Sequence, residues 1–232
     1  MFLLKGCVQE PKSDKETYRE ILTSRTLGLA YLEENKLNEA EAEFLKLTQL
    51  APDESMGFAN LGLVYLRMGR HEDAIAQLRE AIDIDPENPD VRLILAKVFE
   101  VNGEMEQSLE ELQKIIDFSP GHVKTLYSLA EFYGKRDDPE SLKRREDYLA
   151  RVSELAPENV VPTLNLVEVL IRNGKLDEAL AHMEKIQQLF PAFPDEANTF
   201  YDNAITALQQ GEAESALTAV RIFHNFLKVS SP

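Results

Sequence analysis

Four histidines are the residues best suited to hold a metal ion or to transfer a proton near neutral pH. A metal site needs several nitrogen, sulfur or carboxylate ligands at short, defined spacings. The histidines are instead spread along the chain, and the residues around them match no ligand motif: they are His71, His122, His182 and His224. The sequence therefore predicts no metal site.

Acid–base pairs and nucleophiles are also missing from the sequence. Glu39, Glu41 and Glu43 lie in a helix-forming segment, and we interpret them as an exposed helix face rather than as paired catalytic carboxylates. No serine or cysteine lies in a nucleophile motif, and there is no glycine-rich phosphate-binding loop. We predict no catalytic residue, no cofactor and a protein that is not an enzyme.

The composition is that of an acidic, helical protein. Ala, Leu, Glu and Lys dominate, and 44% of the residues are hydrophobic, which allows a sizeable buried core. The formal net charge of -16 would repel a phosphate backbone, so we predict no nucleic-acid partner. Because no segment has the roughly 18 consecutive apolar residues of a membrane-spanning helix, we predict no transmembrane segment.

A proline recurs along the chain at a nearly constant interval. Successive members of the series are 34, 34, 37 and 34 residues apart, and each follows an apolar, helix-type run. A helix does not easily continue through proline, so each marks the end of one helical unit and the turn into the next. The series is Pro52, Pro86, Pro120, Pro157 and Pro191.

The same residue classes recur in phase within each interval. A small residue follows a leucine and precedes a large side chain by three positions, as in Leu61, Gly62 and Tyr65. A second small residue, such as Ala74, lies in the second half, and small residues let two helices approach closely. Between the halves, a residue suited to the left-handed conformation ends the first helix. These residues are Asn35, Gly69, Gly103, Gly174 and Gly211.

This pattern resembles the tetratricopeptide repeat family, and residues 55–88 fit that family nearly ideally. The resemblance implies an all-α fold, a right-handed superhelical solenoid of antiparallel helix pairs with about five clear repeats and a degenerate sixth. We expect a polar tail over residues 1–18 and a single solenoid domain over residues 19–232. The expected repeats span about 21–54, 55–88, 89–122, 123–159, 160–193 and 197–230.

Two repeats depart from the pattern. The fourth has three extra residues near positions 134–138, which we interpret as a longer loop between its two helices. The sixth has Asn203 where leucine is expected, and no proline follows at the usual place.

The resemblance implies a scaffold for protein–protein interaction, in which the first helix of each pair lines a concave groove. Contiguous apolar surface on a soluble protein usually marks a binding site, so we predict that a peptide or helix of a partner binds there. A carboxylate clamp found in some family members is matched only by Asn60 and partly by Arg25. The predicted groove residues are Leu22, Arg25, Leu29, Leu32, Met56, Asn60, Leu63, Leu66, Leu93, Lys97 and Tyr127.

The last helix of the sequence is apolar on more than one side, whereas a terminal repeat normally has a polar outer face. Leu217, Phe226 and Leu227 are therefore predicted to form an apolar surface that docks a partner or mediates self-association. The alternative is that the chain is a non-catalytic module of a larger bacterial protein, such as a secreted or propeller-containing one.

The segment before Cys7 resembles a bacterial lipobox, in which the cysteine is lipidated after cleavage. Gly6 fits that motif, but only Phe2, Leu3 and Leu4 remain of the hydrophobic segment that a signal needs. A lipidated Cys7 would place the chain in the bacterial cell envelope, as a lipoprotein that assists the assembly of a membrane machine. Otherwise the expected location is the cytoplasm.

Overall fold

The structure is a computed structural model that describes residues 14–191 and 193–230. The described part is helical and contains no strand, as predicted for an all-α fold. Its first helix begins at Asp14, so the last residues of the predicted tail are helical. The helices of this part are α1 (Asp14–Glu33), α2 (Leu37–Leu50), α3 (Ser55–Arg67), α4 (His71–Ile84), α5 (Pro89–Val101), α6 (Met105–Phe118), α7 (Val123–Gly134), α8 (Pro139–Leu155), α9 (Val160–Arg172), α10 (Leu176–Leu189), α11 (Asp195–Gln209) and α12 (Ala213–Ser230).

Short turns join the two helices of each pair, and left-handed residues form most of these turns. Gly69 has a φ of 74°, and the next residue, Arg70, donates its backbone N–H to the carbonyl oxygen of Tyr65 at 2.9 Å. This bond satisfies a carbonyl at the end of α3 and terminates the helix. In the described part of the chain, the other residues with positive φ are those predicted from the sequence: Asn35, Gly103, Gly174 and Gly211.

The described residues form two compact units, which divide between Phe118 and Ser119. Each unit contains three helix pairs and has its own hydrophobic cluster. In the N-terminal unit the small residues bring paired helices together: a Cβ atom added to Gly62 would lie 2.7 Å from Cγ of Leu78. The expectation that all six repeats form one domain stays a prediction.

The fourth pair absorbs its extra residues mainly in a helix rather than in a loop. The turn between α7 and α8 has four residues, 135–138, whereas the turn between α3 and α4 has three, 68–70. Helix α8 has 17 residues, against 14 in α4. Asp138 caps α8 by accepting a hydrogen bond from the backbone N–H of Ser141 at 2.9 Å. The interpretation of the insertion as a longer loop is therefore largely wrong.

The sixth pair presents a different face to its neighbours than the regular pairs do. In α3, α5 and α9 the leucine at one shared position is at most 3% exposed, whereas the equivalent Leu27 of α1, which follows no described helix, is 38% exposed. This contrast indicates that the position faces the preceding pair. The buried leucines are Leu61, Leu95 and Leu166. Asn203 holds this position in α11 and is exposed, so the stacking face of the sixth pair is turned to solvent.

Helix α11 packs on α10 through its opposite side. Tyr201 is 6% exposed, and its hydroxyl donates a hydrogen bond to the carbonyl oxygen of Met183 in α10 at 3.1 Å. Contacts run from α9 to α10, from α10 to α11, from α11 to α12, and from α12 back to α9. The last four helices therefore close into a ring, and the stack does not continue in register beyond α10.

Alkaline pH is expected to weaken this ring through Tyr201. Burial, with smaller effects from Glu184 and Asp202, raises the pKa of Tyr201 to about 12. A raised pKa contributes stability that is complete below the ordinary pKa near 10 and is lost as the pH rises through about 12. We expect Tyr201→Phe to lose less stability than the wild type when the pH is raised from about 9 to about 11.5. The lower pH is below the ordinary tyrosine pKa, and the higher pH lies between the ordinary and the raised pKa. Urea unfolding at the two pH values measures this, and equal losses would contradict it.

Candidate partner-binding surface

The first helices of the N-terminal unit carry large apolar side chains at the surface. Leu22, Leu29 and Met56 are 39%, 40% and 48% exposed, whereas leucine and methionine are usually buried in folded proteins. Leu63 and Leu93 are partly buried on α3 and α5. These five side chains, which lie on α1, α3 and α5, are called the first-helix face.

Two arginines fix α1 against α3. Arg25 of α1 donates from Nη2 to both carboxylate oxygens of Glu54, at 2.6 Å each, immediately before α3 begins. Arg67 of α3 donates to the carbonyl oxygen of Leu32 near the end of α1, at 2.9 Å. Bonds at both ends hold the two helices in one arrangement, which reduces the entropy lost when a ligand binds. Because Glu54 already engages Arg25, the structure gives no support to a carboxylate clamp.

The other predicted groove residues of this unit have different environments. Asn60 is partly buried, and Lys97 is exposed and paired with Glu100 at 2.8 Å. Leu66 packs partly against the core. Leu32 is only 5% exposed and belongs to the core, so its assignment to the groove was wrong. It lies three residues after Leu29, and a rotation of about 300° along an α-helix turns it inward.

Tyr127 lies in the C-terminal unit, beside a small cavity. Its hydroxyl accepts a hydrogen bond from Nδ2 of Asn165 at 3.0 Å, and burial, reinforced by Glu131, raises the pKa of Tyr127. The cavity has a volume of about 180 Å³ and is lined by Val123, Lys124, Tyr127, Val152, Asn159, Val161 and Pro162. A cavity of this size holds one side chain rather than a peptide.

The face of α9 that corresponds to the first-helix face is covered by α12. Glu168 occupies the position of Leu29 and Leu63 in the repeat, and Arg221 of α12 donates from Nε to its Oε2 at 3.2 Å. Nδ1 of His224 lies 3.2 Å from the other oxygen of Glu168. Burial opposes ionisation of Glu168, but the bonds from α12 outweigh it and lower its pKa. This face is therefore closed on α9, whereas Lys124 and Glu131, at the corresponding positions of α7, are exposed and charged.

The apolar residues of the last helix are less open than the sequence predicts. Leu217, Phe226 and Leu227 are partly buried and pack against the core of their own unit. The reason is the closed ring, which brings α12 onto α9 and uses the second apolar side of α12 within the chain. Docking of a partner and self-association through these residues stay predictions.

The lipidation prediction concerns a part of the chain that is not described. Cys7 lies outside residues 14–191 and 193–230. Among the helices that are described, none is both long and apolar enough to cross a membrane.

Family models and solved structures agree on one kind of repeat. Three models described as tetratricopeptide repeat match residues 26–54, 65–130 and 160–185. No curated protein sequence matches the chain.

Among solved structures, the Pseudomonas aeruginosa pilF protein is similar, with 15% identity, a TM-score of 0.67, and coverage of 93% of this chain and 95% of that one. A tetratricopeptide repeat protein from Parabacteroides merdae has 17% identity, a TM-score of 0.60, and coverage of 94% and 81%. YrrB, a TPR protein with an unusual peptide-binding site, has 19% identity, a TM-score of 0.56, and coverage of 80% and 97%. At these identities the likeness concerns the fold.

Proposed function

The chain is a tetratricopeptide repeat protein, and from this premise we propose that it binds a peptide or helix of a partner protein on the first-helix face. Proteins of this family are typically non-catalytic interaction scaffolds. The observation that carries the proposal is the exposure of Leu22, Leu29 and Met56 on neighbouring first helices.

The chemistry of the face favours a ligand with apolar anchors. Fully burying one leucine or methionine side chain stabilises a complex by roughly 1.5–3 kcal/mol, and these side chains are already about half buried, so each would contribute roughly half of that. An amphipathic helix or an extended peptide with several anchors would cover Leu22, Leu29 and Met56 together. The arginine bonds that fix α1 against α3 limit the ordering that binding requires.

One solved relative supports this kind of ligand. YrrB is described as having an unusual peptide-binding site, and it shares the helix-pair fold with this chain. The residues of this chain that would bind a peptide are inferred from their own exposure and contacts, because the likeness carries no residue assignments. A role that involves no catalysis is part of the same proposal.

Two narrower roles are compatible with such a scaffold: a module of a larger protein, and a lipoprotein anchored at the cell envelope. Both would leave the first-helix face as the binding surface. The lipoprotein role rests on Gly6 and Cys7 alone and stays a prediction.

A displayed library of random peptides, selected on the purified chain, would test the proposal. Fluorescence anisotropy then measures the affinities of the selected peptides for the wild type and for the double variant Leu29→Glu/Met56→Glu. We expect binding to weaken about a hundredfold, because two carboxylates would be desolvated against apolar anchors. The matched control is Leu45→Glu/Ile84→Glu, which adds the same charge to side chains 38% and 37% exposed on second helices of the same unit.

The control separates loss of the site from loss of the fold. Both double variants should melt within a few degrees of the wild type, since all four positions are at the surface. If the control variant loses binding equally, or if Leu29→Glu/Met56→Glu keeps it, the first-helix face is not the binding site.

A further inference from the structure

A second open groove lies between α11 and α12, on the side turned away from α9 and α10. Its volume is about 470 Å³. Phe200, Ala219 and Ile222 supply apolar surface, and Ile222 is 44% exposed. The polar part of the lining consists of Asn203, Glu214, Ser215 and Thr218.

This groove contains the face that regular repeats use for stacking. Asn203 holds the position at which Leu61, Leu95 and Leu166 are buried against a preceding helix pair. Because α11 packs on α10 through its opposite side, no helix of the C-terminal unit covers this face within the described residues. Two neighbouring helices form a groove into which the side-chain ridge of a third helix can pack.

Contacts within the unit hold the side chains at the base of the groove in place. The Phe200 ring lies 5.8 Å from the ring of Phe226, which links α11 to α12 beneath the groove. The hydroxyl of Thr218 donates to the carbonyl oxygen of Glu214 at 2.9 Å, which keeps that side chain on its own helix. A docking helix would therefore meet mainly small and apolar groups, with Glu214 as the long charged side chain of the lining.

The charge around the groove is negative. Glu214 lines it, and α11 carries Asp195, Glu196 and Asp202 but no lysine or arginine. Arg221 of α12 does not line the groove and is paired with Glu168 of α9, Nε to Oε2 at 3.2 Å. A second copy of the same face would bring these carboxylates together, and the repulsion disfavours self-association.

We propose that this groove binds an amphipathic helix of a partner protein whose apolar stripe is flanked by lysine or arginine. The apolar stripe would cover Phe200, Ala219 and Ile222, and the flanking cations would face Glu214 and the acidic side of α11. This second site goes beyond the first-helix face and is independent of it. The chain would then hold two partner segments, one on each unit.

A designed helical peptide of about 20 residues, with leucines at i, i+3, i+4 and i+7 and flanking lysines, is the probe. It is labelled with fluorescein and titrated with the full chain, and a second peptide has glutamates in place of the lysines. The test variant is Thr218→Arg, which places a cation at an exposed position in the groove. Its control is Gln188→Arg, an exposed position of α10 that does not line the groove.

We expect the lysine peptide to bind the wild type, Gln188→Arg and Leu29→Glu/Met56→Glu alike, and to bind Thr218→Arg about tenfold more weakly. The glutamate peptide should gain affinity in Thr218→Arg. The proposal is overturned if Thr218→Arg and Gln188→Arg bind equally, if both peptides bind the wild type equally, or if neither binds. Loss of binding in Leu29→Glu/Met56→Glu alone would assign the peptide to the first-helix face. A wild-type dimer that Thr218→Arg converts to a monomer would assign the groove to a second copy.

Discussion

Phe223→Ala is expected to lower the free energy of unfolding of the C-terminal unit by about 3–5 kcal/mol. Phe223 is fully buried, and its ring lies 5.2 Å from that of Phe193 and 5.8 Å from that of Tyr201, at interplanar angles of 83° and 68°. Removal of the ring leaves a cavity where α12 meets α11, and the edge-to-face contacts are lost with it. Urea unfolding followed by circular dichroism measures the change.

Phe226→Ala is the matched control for this variant. Phe226 is on the same helix but is only partly buried, and its ring meets the Phe200 ring at 5.8 Å. Phe226→Ala should lower the free energy of unfolding clearly less than Phe223→Ala does. Amide exchange in α9 should accelerate in Phe223→Ala, since α12 would hold Glu168 less firmly. Equal, small losses in both variants would contradict the closed ring of α9 to α12.

Phe44→Ala is expected to lower the free energy of unfolding of the N-terminal unit by a similar amount, about 3–5 kcal/mol. Phe44 is fully buried on α2, against Gly28 of α1. A Cβ atom at Gly28 would lie 2.7 Å from Cε1 of the ring, which no unstrained structure allows. Gly28→Ala should therefore destabilise the wild type by about 1–3 kcal/mol through overpacking, although alanine favours the helix.

The two substitutions should be strongly coupled. In the Phe44→Ala background the methyl group of Gly28→Ala enters the vacated space, so it should be neutral or stabilising there. A double-mutant cycle by urea unfolding of the four proteins measures this coupling. Additive effects would mean that α1 and α2 do not meet through Gly28 and Phe44.

The regular repeats could be predicted from sequence because their determinants are local. Proline spacing marked the ends of second helices, and Gly69 adopts the positive φ that its position between helices predicts. Leu61 and Tyr65 are buried as the repeat pattern requires. Each of these properties depends on the residue itself or on neighbours within one pair.

The errors come from contacts between pairs. A repeat pattern assigns each residue a position in its own pair, but it does not reveal which face of the sixth pair meets the fifth. Asn203 was the available signal, since a polar residue at the stacking position cannot be buried without a partner. Leu217, Phe226 and Leu227 were assigned to an open surface because α12 was expected to end a regular stack. Leu32 was assigned to the groove with Leu29, but the three-residue spacing turns it by about 300° into the core.

Hydrogen–deuterium exchange of the full chain, with and without a peptide selected on it, tests the central claim most directly. The claim is that the first-helix face binds the partner segment. Slower exchange is expected in α1, α3 and α5, with α2, α4 and α9 unchanged. Slower exchange confined to second helices, or to α9 and α12, would contradict the claim and place the partner on another surface.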